Sequence, residues 1–342
     1  MRKTILLTGG TGYLGAWVAK LLLEKGYTLR LAVRDKHKVE KHQFLQEIAK
    51  ANHARLELWE ANLLKQNSYN SAAEGAEAII HMASPFTLRF NDAKKELIEP
   101  ALEGTRNVLT AANLSSTVKK VVLTSSVAAI FGDNVDQKER GVKFLDERYF
   151  NQSSSTKHQP YSYSKVLAEK EAWKICKSQS KWKLVVINPS FVMGPALCKG
   201  SDSESLAFMN DLLSGRYRMA APDLMFGFVD VRDVAEAHIL ALEKEGAEGR
   251  YILAERNASV LDIVAILRAK YGSKYKLPLF KAPKFLLYLI SPLFGMKRKF
   301  VKRNVGYPIQ LSNDKSRKQL GINYRPLEET LKDMVEQIEI DN

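Results

Sequence analysis

A chain of 342 residues, 45% hydrophobic and 26% charged, has the balance and length of two packed units, which excludes a disordered polymer and a disulfide-stapled miniature. Its two cysteines, Cys176 and Cys198, stand at neither metal-ligand nor disulfide spacing, so no metal is expected and a reduced, cytoplasmic setting is. The formal charge of +14 is the one compositional anomaly.

The opening Met1-Arg2-Lys3 leads into an apolar run too short for a secretory signal. Thr4–Leu7 reads as a buried strand, and after a glycine turn Leu14, Trp17, Val18, Leu21 and Leu22 recur at helical spacing. Gly26 ends that helix and Tyr27–Val33 is a second strand, giving a βαβ unit with a right-handed crossover. Strands at Leu56–Trp59, Ala78–Met82, Lys120–Thr124 and Leu184–Asn188 then alternate with helices such as Lys94–Asn113 and Tyr161–Lys177. This alternation predicts an α/β domain over 1–195, a doubly wound parallel sheet covered on both faces. Beyond Gly194-Pro195 the rhythm loosens. Strands at Phe228–Val231 and Arg250–Leu253 and helices at Val234–Glu243 and Val260–Tyr271 predict a smaller mixed region. Segment 228–253 is expected to return to the first domain, with 196–227 and 254–342 forming the substrate-binding part. The longest apolar stretch, Phe285 to Met296, falls short of the roughly 20 residues that span a bilayer.

The turn from Thr8 to Gly15 places Gly9, Gly12 and Gly15 at G-x-x-G-x-x-G spacing between a strand and a helix. Glycines there let backbone N–H groups and the positive helix end approach a pyrophosphate. The second strand ends Val33-Arg34-Asp35, where an arginine suits the 2′-phosphate of NADP and a carboxylate the ribose of NAD. Arg34, with Lys38 and Lys41, favours NADP, while Asp35 either pairs with Arg34 or faces the ribose. Tyr161 and Lys165 lie four apart on one helix face, a phenol and an ammonium suited to protonating a developing alkoxide. A hydroxyl to orient the carbonyl would come from Ser125-Ser126 at the end of the fifth strand.

These residues, with Asn188-Pro189-Ser190-Phe191-Val192-Met193-Gly194-Pro195 and the run from Phe228 to His238, occur in an order that resembles the extended short-chain dehydrogenase/reductases. The resemblance is to the group of dihydroflavonol 4-reductase, cinnamoyl-CoA reductase and the methylglyoxal/aldehyde reductases, and spans most of the chain. It implies a Rossmann domain that binds NADP. Tyr161 would then be the general acid, with Lys165 lowering its pKa and holding the nicotinamide ribose, and Ser126 would orient the carbonyl. Gly9, Thr11, Gly12, Tyr13, Leu14 and Gly15 would hold the pyrophosphate, and Arg34 and Lys41 the 2′-phosphate. Asn62 and Leu63 would sit near adenine, Met82, Ala83 and Ser84 along the cofactor, and Pro189 and Val192 beside the nicotinamide amide. Asn62 stands where an aspartate is usual. Asn107 is expected to be a structural hydrogen-bonder, and Asp230 and Asp233 to hold the junction between the regions.

The resemblance implies an oxidoreductase acting on a small carbonyl substrate. Phe131 replaces the asparagine of plant dihydroflavonol reductases, and Pro160-Tyr161-Ser162-Tyr163-Ser164 lacks the Asn-Trp-Tyr-Cys signature of cinnamoyl-CoA reductases. An apolar pocket lined by Phe86, Phe131 and Phe191 is expected, suited to an aldehyde or ketone with an apolar or aromatic body. His158, just before Tyr161, is the one histidine placed to touch substrate. The alternatives are a hydroxysteroid dehydrogenase or sugar-nucleotide epimerase on the same fold, and a non-catalytic NADP-sensing regulator. A monomer or homodimer is expected.

Between Asp262 and Asp314 there is no acidic residue and eleven basic ones, which carry most of the excess charge. A solvated basic face, a phosphate-bearing substrate and peripheral contact with anionic membrane through 263–313 all fit. Nucleic acid does not, because the aromatics form one apolar block and are not interleaved with the charges. Weak, salt-sensitive binding to anionic vesicles is the expectation.

Overall fold

Apolar runs of strand length that end at glycine or serine turns, each followed by an amphipathic segment, fold as strand–helix units. The computed structural model describes residues 3–84, 91–198 and 203–341. Its strands are β1 (Thr4–Thr8), β2 (Thr28–Val33), β3 (Arg55–Glu60), β4 (Ala78–His81), β5 (Lys120–Thr124), β6 (Lys183–Pro189), β7 (Phe191–Met193), β8 (Ala220–Ala221), β9 (Met225–Asp230), β10 (Gly249–Leu253), β11 (Arg256–Ser259) and β12 (Phe280–Lys281). The helices of the first half are α1 (Tyr13–Glu24), α2 (Gln43–Ala51), α3 (Asn70–Ala73), α4 (Glu99–Leu114), α5 (Val135–Glu139) and α6 (Pro160–Lys177). Those that follow are α7 (Glu204–Leu213), α8 (Val231–Glu243), α9 (Val260–Tyr271), α10 (Lys284–Ile290), α11 (Arg298–Asn304) and α12 (Leu327–Asp341).

One parallel sheet runs in the order β10-β6-β5-β4-β1-β2-β3. Chain order reverses at β1, so the carboxyl ends of β1 and β4 open a crevice at the switch point. Strands this apolar need cover on both faces. On one face Leu22 of α1 and Val234 of α8 pack with Leu31 and Val122; on the other Val108 and Leu109 of α4 pack with Ile79, Val121 and Trp182. The predicted helix Lys94–Asn113 begins with a π-wound turn, Lys94–Ile98, because Pro100 offers no N–H to the Glu96 carbonyl.

A smaller sheet, β11-β9-β7, covers a separate core of Met193, Phe228, Ile263, Leu331 and Met334. Here the sequence reading needs correction. The strand expected at Phe228–Val231 spans Met225–Asp230 and belongs to this small sheet, not to the large one. It stops where the Asp230 carboxylate accepts the Arg232 N–H at 2.7 Å and caps α8, so the return to the large domain starts with α8 and finishes with β10 at the sheet edge. Asp230 also accepts Thr330 Oγ1 at 2.8 Å, and Asp233 pairs with Arg325, so both aspartates bind the last quarter of the chain to this corner.

Candidate active site

The glycine turn is shaped by close approach. At Gly15 a Cβ would stand 2.0 Å from the Gly9 carbonyl oxygen, and Gly9 itself sits at φ +76° with Ala83 N 2.8 Å from where its Cβ would be. Gly12 is different. It is exposed, its φ is ordinary at −86°, and a Cβ there would meet only the Gly9 oxygen, at 3.5 Å. Gly12 caps α1 with no side-chain acceptor and no acidic residue follows in the first turn, so the first N–H groups of the helix face outward without a partner side chain. This is a cradle that a side chain would fill and that a pyrophosphate fits. Thr11, Tyr13 and Leu14 complete the turn; the Tyr13 hydroxyl donates to Gly194 O at 2.7 Å and fixes β7 over it.

Thr8 joins the two sides of the crevice. Its hydroxyl oxygen accepts from Met82 N at 3.2 Å and Ala83 N at 3.1 Å, so its own proton goes to His81 Nδ1, 2.8 Å away. Met82, Ala83 and Ser84 therefore line the crevice opposite the glycine turn. At the end of β2, Arg34 is exposed and forms no ion pair among the described residues, and Lys41, seven residues on, is exposed too. Asp35 does not pair with Arg34: its Oδ1 accepts the His37 N–H at 2.9 Å and closes the turn. Asn62 Oδ1 is likewise held by Leu64 N at 2.9 Å. Asn107 donates to Leu63 O at 3.1 Å and accepts from Asn67 N at 3.1 Å, so it secures the loop that carries Asn62 and Leu63.

Pro160 starts α6 where its missing N–H costs nothing, and Tyr161 and Lys165 follow on one face. Ser126, beyond the end of β5, hydrogen-bonds the Tyr161 hydroxyl, and its own oxygen also accepts Ala128 N at 3.1 Å. Lys165, 9% exposed, places Nζ 5.6 Å from the centre of the Tyr161 ring. The expected lowering of the phenol by Lys165 is not what this arrangement produces. Burial pushes Tyr161 up to about 12, with the Ser126 hydrogen bond opposing, while burial pushes Lys165 down to about 8. The ammonium lies over the ring, and desolvation is the largest influence on both groups.

Beneath this trio lies a set the sequence reading missed. Glu169, one turn beyond Lys165 and fully buried, accepts Ser125 Oγ at 2.6 Å and Asn188 Nδ2 at 2.8 Å and pairs with Arg250 Nε at 2.5 Å. Asn188 also donates to Ser126 O at 3.1 Å. The carboxylate thus ties the ends of β5, β6 and β10 to the helix that carries Tyr161. Burial of a glutamate inside Ala168-Glu169-Lys170 has no local sequence signal.

One expectation on a substrate contact fails. His158 is buried with Nε2 2.8 Å from Asp133 Oδ2, and Asp133 in turn accepts Arg303 Nε at 2.6 Å and Asn304 Nδ2 at 2.8 Å, so the imidazole holds a loop and does not face a substrate. Burial raises the Asp133 carboxyl, but the bonds from His158, Asn304 and Arg303 outweigh it and the net shift is downward. Phe131 and Phe191 pack in different apolar clusters: Phe191 lies edge-on against Phe208 at 5.5 Å and Phe228 at 5.7 Å, and Phe131 packs with Leu145 and Ile309. Phe86 lies outside the described residues. Pro189 closes β6, and Val192, three residues on, lies half-buried in β7. A cleft of about 1010 Å³ between Phe150, Trp173 and Arg250 contains none of Ser126, Tyr161 and Lys165.

The NAD dependent epimerase/dehydratase family matches residues 5–254. Cinnamoyl-CoA reductase CAD2 of Medicago truncatula is 36% identical over 98% of this chain and 95% of its own. Among solved structures, Gre2 of Candida albicans in complex with NADPH superposes with a TM-score of 0.81 at 31% identity, covering 99% of each chain. Yeast methylglyoxal/isovaleraldehyde reductase Gre2, also with NADPH, gives 0.80 at 26% identity over 98% of each. A glycine turn at the switch point of a parallel sheet, with Ser126, Tyr161 and Lys165 gathered beside it, agrees with those matches: this chain belongs to the NAD dependent epimerase/dehydratase family, as an extended short-chain dehydrogenase/reductase.

Proposed function

We propose that the protein is an NADPH-dependent reductase of an aldehyde or ketone with an apolar or aromatic body. The observation that carries this reading is the hydrogen-bonded pair of hydroxyls, Ser126 and Tyr161, with Lys165 behind the ring at the switch-point crevice. Bound NADPH supplies the hydride. Ser126 orients the carbonyl oxygen, and the Tyr161 phenol, protonated throughout the neutral range, gives that oxygen its proton as the carbonyl carbon is reduced to an alcohol carbon. Lys165 would hold the ribose hydroxyls of the bound cofactor and place a positive charge near the Tyr161 ring as it gives up its proton. The intact trio speaks against a silent NADP sensor, and the exposed Arg34 at the end of β2 favours NADP over a retained NAD. Oxidation of NADPH against NADH with a panel of aldehydes, ketones and steroids tests the reading; no turnover with any carbonyl would overturn it.

Cofactor choice gives a sharper outcome. Arg34 is exposed without a carboxylate partner among the described residues, so Arg34→Ala is expected to weaken NADPH by about 1.5–3 kcal/mol, roughly tenfold to a hundredfold. NADH binding should change little. Equal losses for both cofactors, measured by fluorescence titration, would remove Arg34 from the 2′-phosphate site.

The pH dependence follows from the buried lysine. With Lys165 pushed down to about 8 and Tyr161 up to about 12, the group that loses its working form first on going alkaline is Lys165. Its ammonium is present below about 8 and disappears above it, so kcat/KM for reduction is expected to fall about tenfold per pH unit beyond that point. A profile flat to pH of about 10 would mean that the charge on Lys165 is not needed.

A further inference from the structure

Helix α10, Lys284-Phe285-Leu286-Leu287-Tyr288-Leu289-Ile290, buries none of its residues although six of the seven are apolar. Phe285 is 70% exposed and Leu289 58%, and Leu293 in the following turn is 84% exposed. Phe280 in β12, four residues before the helix, is 68% exposed. An apolar helix normally turns a face to the core, so this one is shaped for something outside the folded chain.

The surroundings give that partner a charge. Phe285, Tyr288 and Leu289 line a hollow of about 540 Å³ together with Lys284 and Lys302. The guanidinium of Arg298 lies 5.7 Å from the Tyr288 ring centre. Arg298, Lys299 and Lys302 are exposed on α11 and form no ion pair among the described residues, whereas Lys274, Lys281 and Arg303 are neutralised by Glu339, Asp223 and Asp133. The basic stretch 263–313 is therefore not one face. Helix α9 buries Ile263, Val264 and Leu267, and Lys284, Arg298, Lys299 and Lys302 are unneutralised cations beside the exposed apolar side chains of α10.

We infer that the face formed by α10 and α11 docks onto the surface of an anionic lipid bilayer. The apolar side chains would enter the acyl boundary while Lys284, Arg298, Lys299 and Lys302 meet the headgroups. No helix among the described residues is long and apolar enough to cross a membrane, so the contact is peripheral. The chemistry favours this occupant because every unpaired charge around the apolar block has one sign and no carboxylate interrupts it between Asp262 and Asp314. The face is tied to the catalytic side of the molecule: Lys297 Nζ donates to Lys157 O at 2.8 Å, and Arg303 reaches Asp133, which holds His158 in the loop that enters α6. Docking would set that loop beside the lipid. The inference does not depend on the carbonyl-reductase reading.

Sedimentation of the full chain with vesicles decides it. Vesicles of phosphatidylcholine with roughly a quarter phosphatidylserine are expected to bind more than about tenfold better than phosphatidylcholine alone at low salt, and the difference should vanish near about 0.5 M salt. Phe285→Ala with Leu289→Ala, and separately Lys299→Glu with Lys302→Glu, should each abolish binding at an unchanged Tm, since all four side chains are exposed. Equal binding to both kinds of vesicle overturns the proposal, as does anionic binding that survives either pair of substitutions. A dimer in gel filtration that Phe285→Ala with Leu289→Ala converts to monomer would assign the face to a second copy of the chain, and would equally overturn it.

Discussion

Tyr161→Phe is expected to lower turnover by roughly 100-fold or more while leaving NADPH affinity nearly unchanged, a loss of about 2.7 kcal/mol of transition-state stabilisation or greater. The substitution keeps the ring, its place on the first turn of α6 and its position in front of Lys165, and removes the one hydroxyl that Ser126 bonds. A phenol held near 12 is a poor acid in isolation, but it is always protonated at neutral pH and aims its proton beside the Ser126 oxygen. The rate loss should therefore appear in kcat and kcat/KM together, as it does when an interaction made only in the transition state is removed. Near-normal kcat in the variant would mean that another group donates the proton.

How much of this was legible in the sequence depends on the range of the interaction that fixes each feature. The glycine turn is local. Gly15 is required by Gly9, six residues before it, and the strand and helix around the turn have clear periodicity, so the turn, the parallel doubly wound sheet and the face shared by Tyr161 and Lys165 follow from pattern alone. Features set by distant partners do not. His158 reads as a loop histidine until Asp133, 25 residues away, and Arg303, far beyond, are seen to enclose it. Phe131 and Phe191 both flank the catalytic motifs in sequence, yet each is claimed by a different apolar cluster. The strand expected to end at Val231 ends one residue earlier, because Asp230, the last residue of β9, caps α8 through its own side chain.

Glu169 is the extreme case of a long-range feature, and its removal carries the largest expected cost in stability. Its carboxylate has only acceptors and is surrounded by donors: Ser125 Oγ, Asn188 Nδ2, Trp173 Nε1 at 3.3 Å and the Arg250 guanidinium. Glu169→Gln keeps the shape but turns an amide NH₂ toward some of those donors and leaves Arg250 charged, buried and without its counter-ion. The expected loss is about 3–5 kcal/mol of unfolding free energy, read as a lower midpoint in urea at unchanged slope. Arg250 contributes more than charge, since its Nη1 also donates to Glu147 O at 2.9 Å and Tyr149 O at 2.5 Å, so Arg250→Met alone is expected to be costly too. The double variant should nevertheless lose less than the sum of the two single losses, because neither charge is then left alone. Activity supplies an independent readout: Asn188 links Glu169 to the backbone of Ser126, so the folded fraction of Glu169→Gln is expected to show reduced kcat with little change in NADPH affinity. A variant within about 1 kcal/mol of the parent would show that the carboxylate is not what holds the ends of β5, β6 and β10 together.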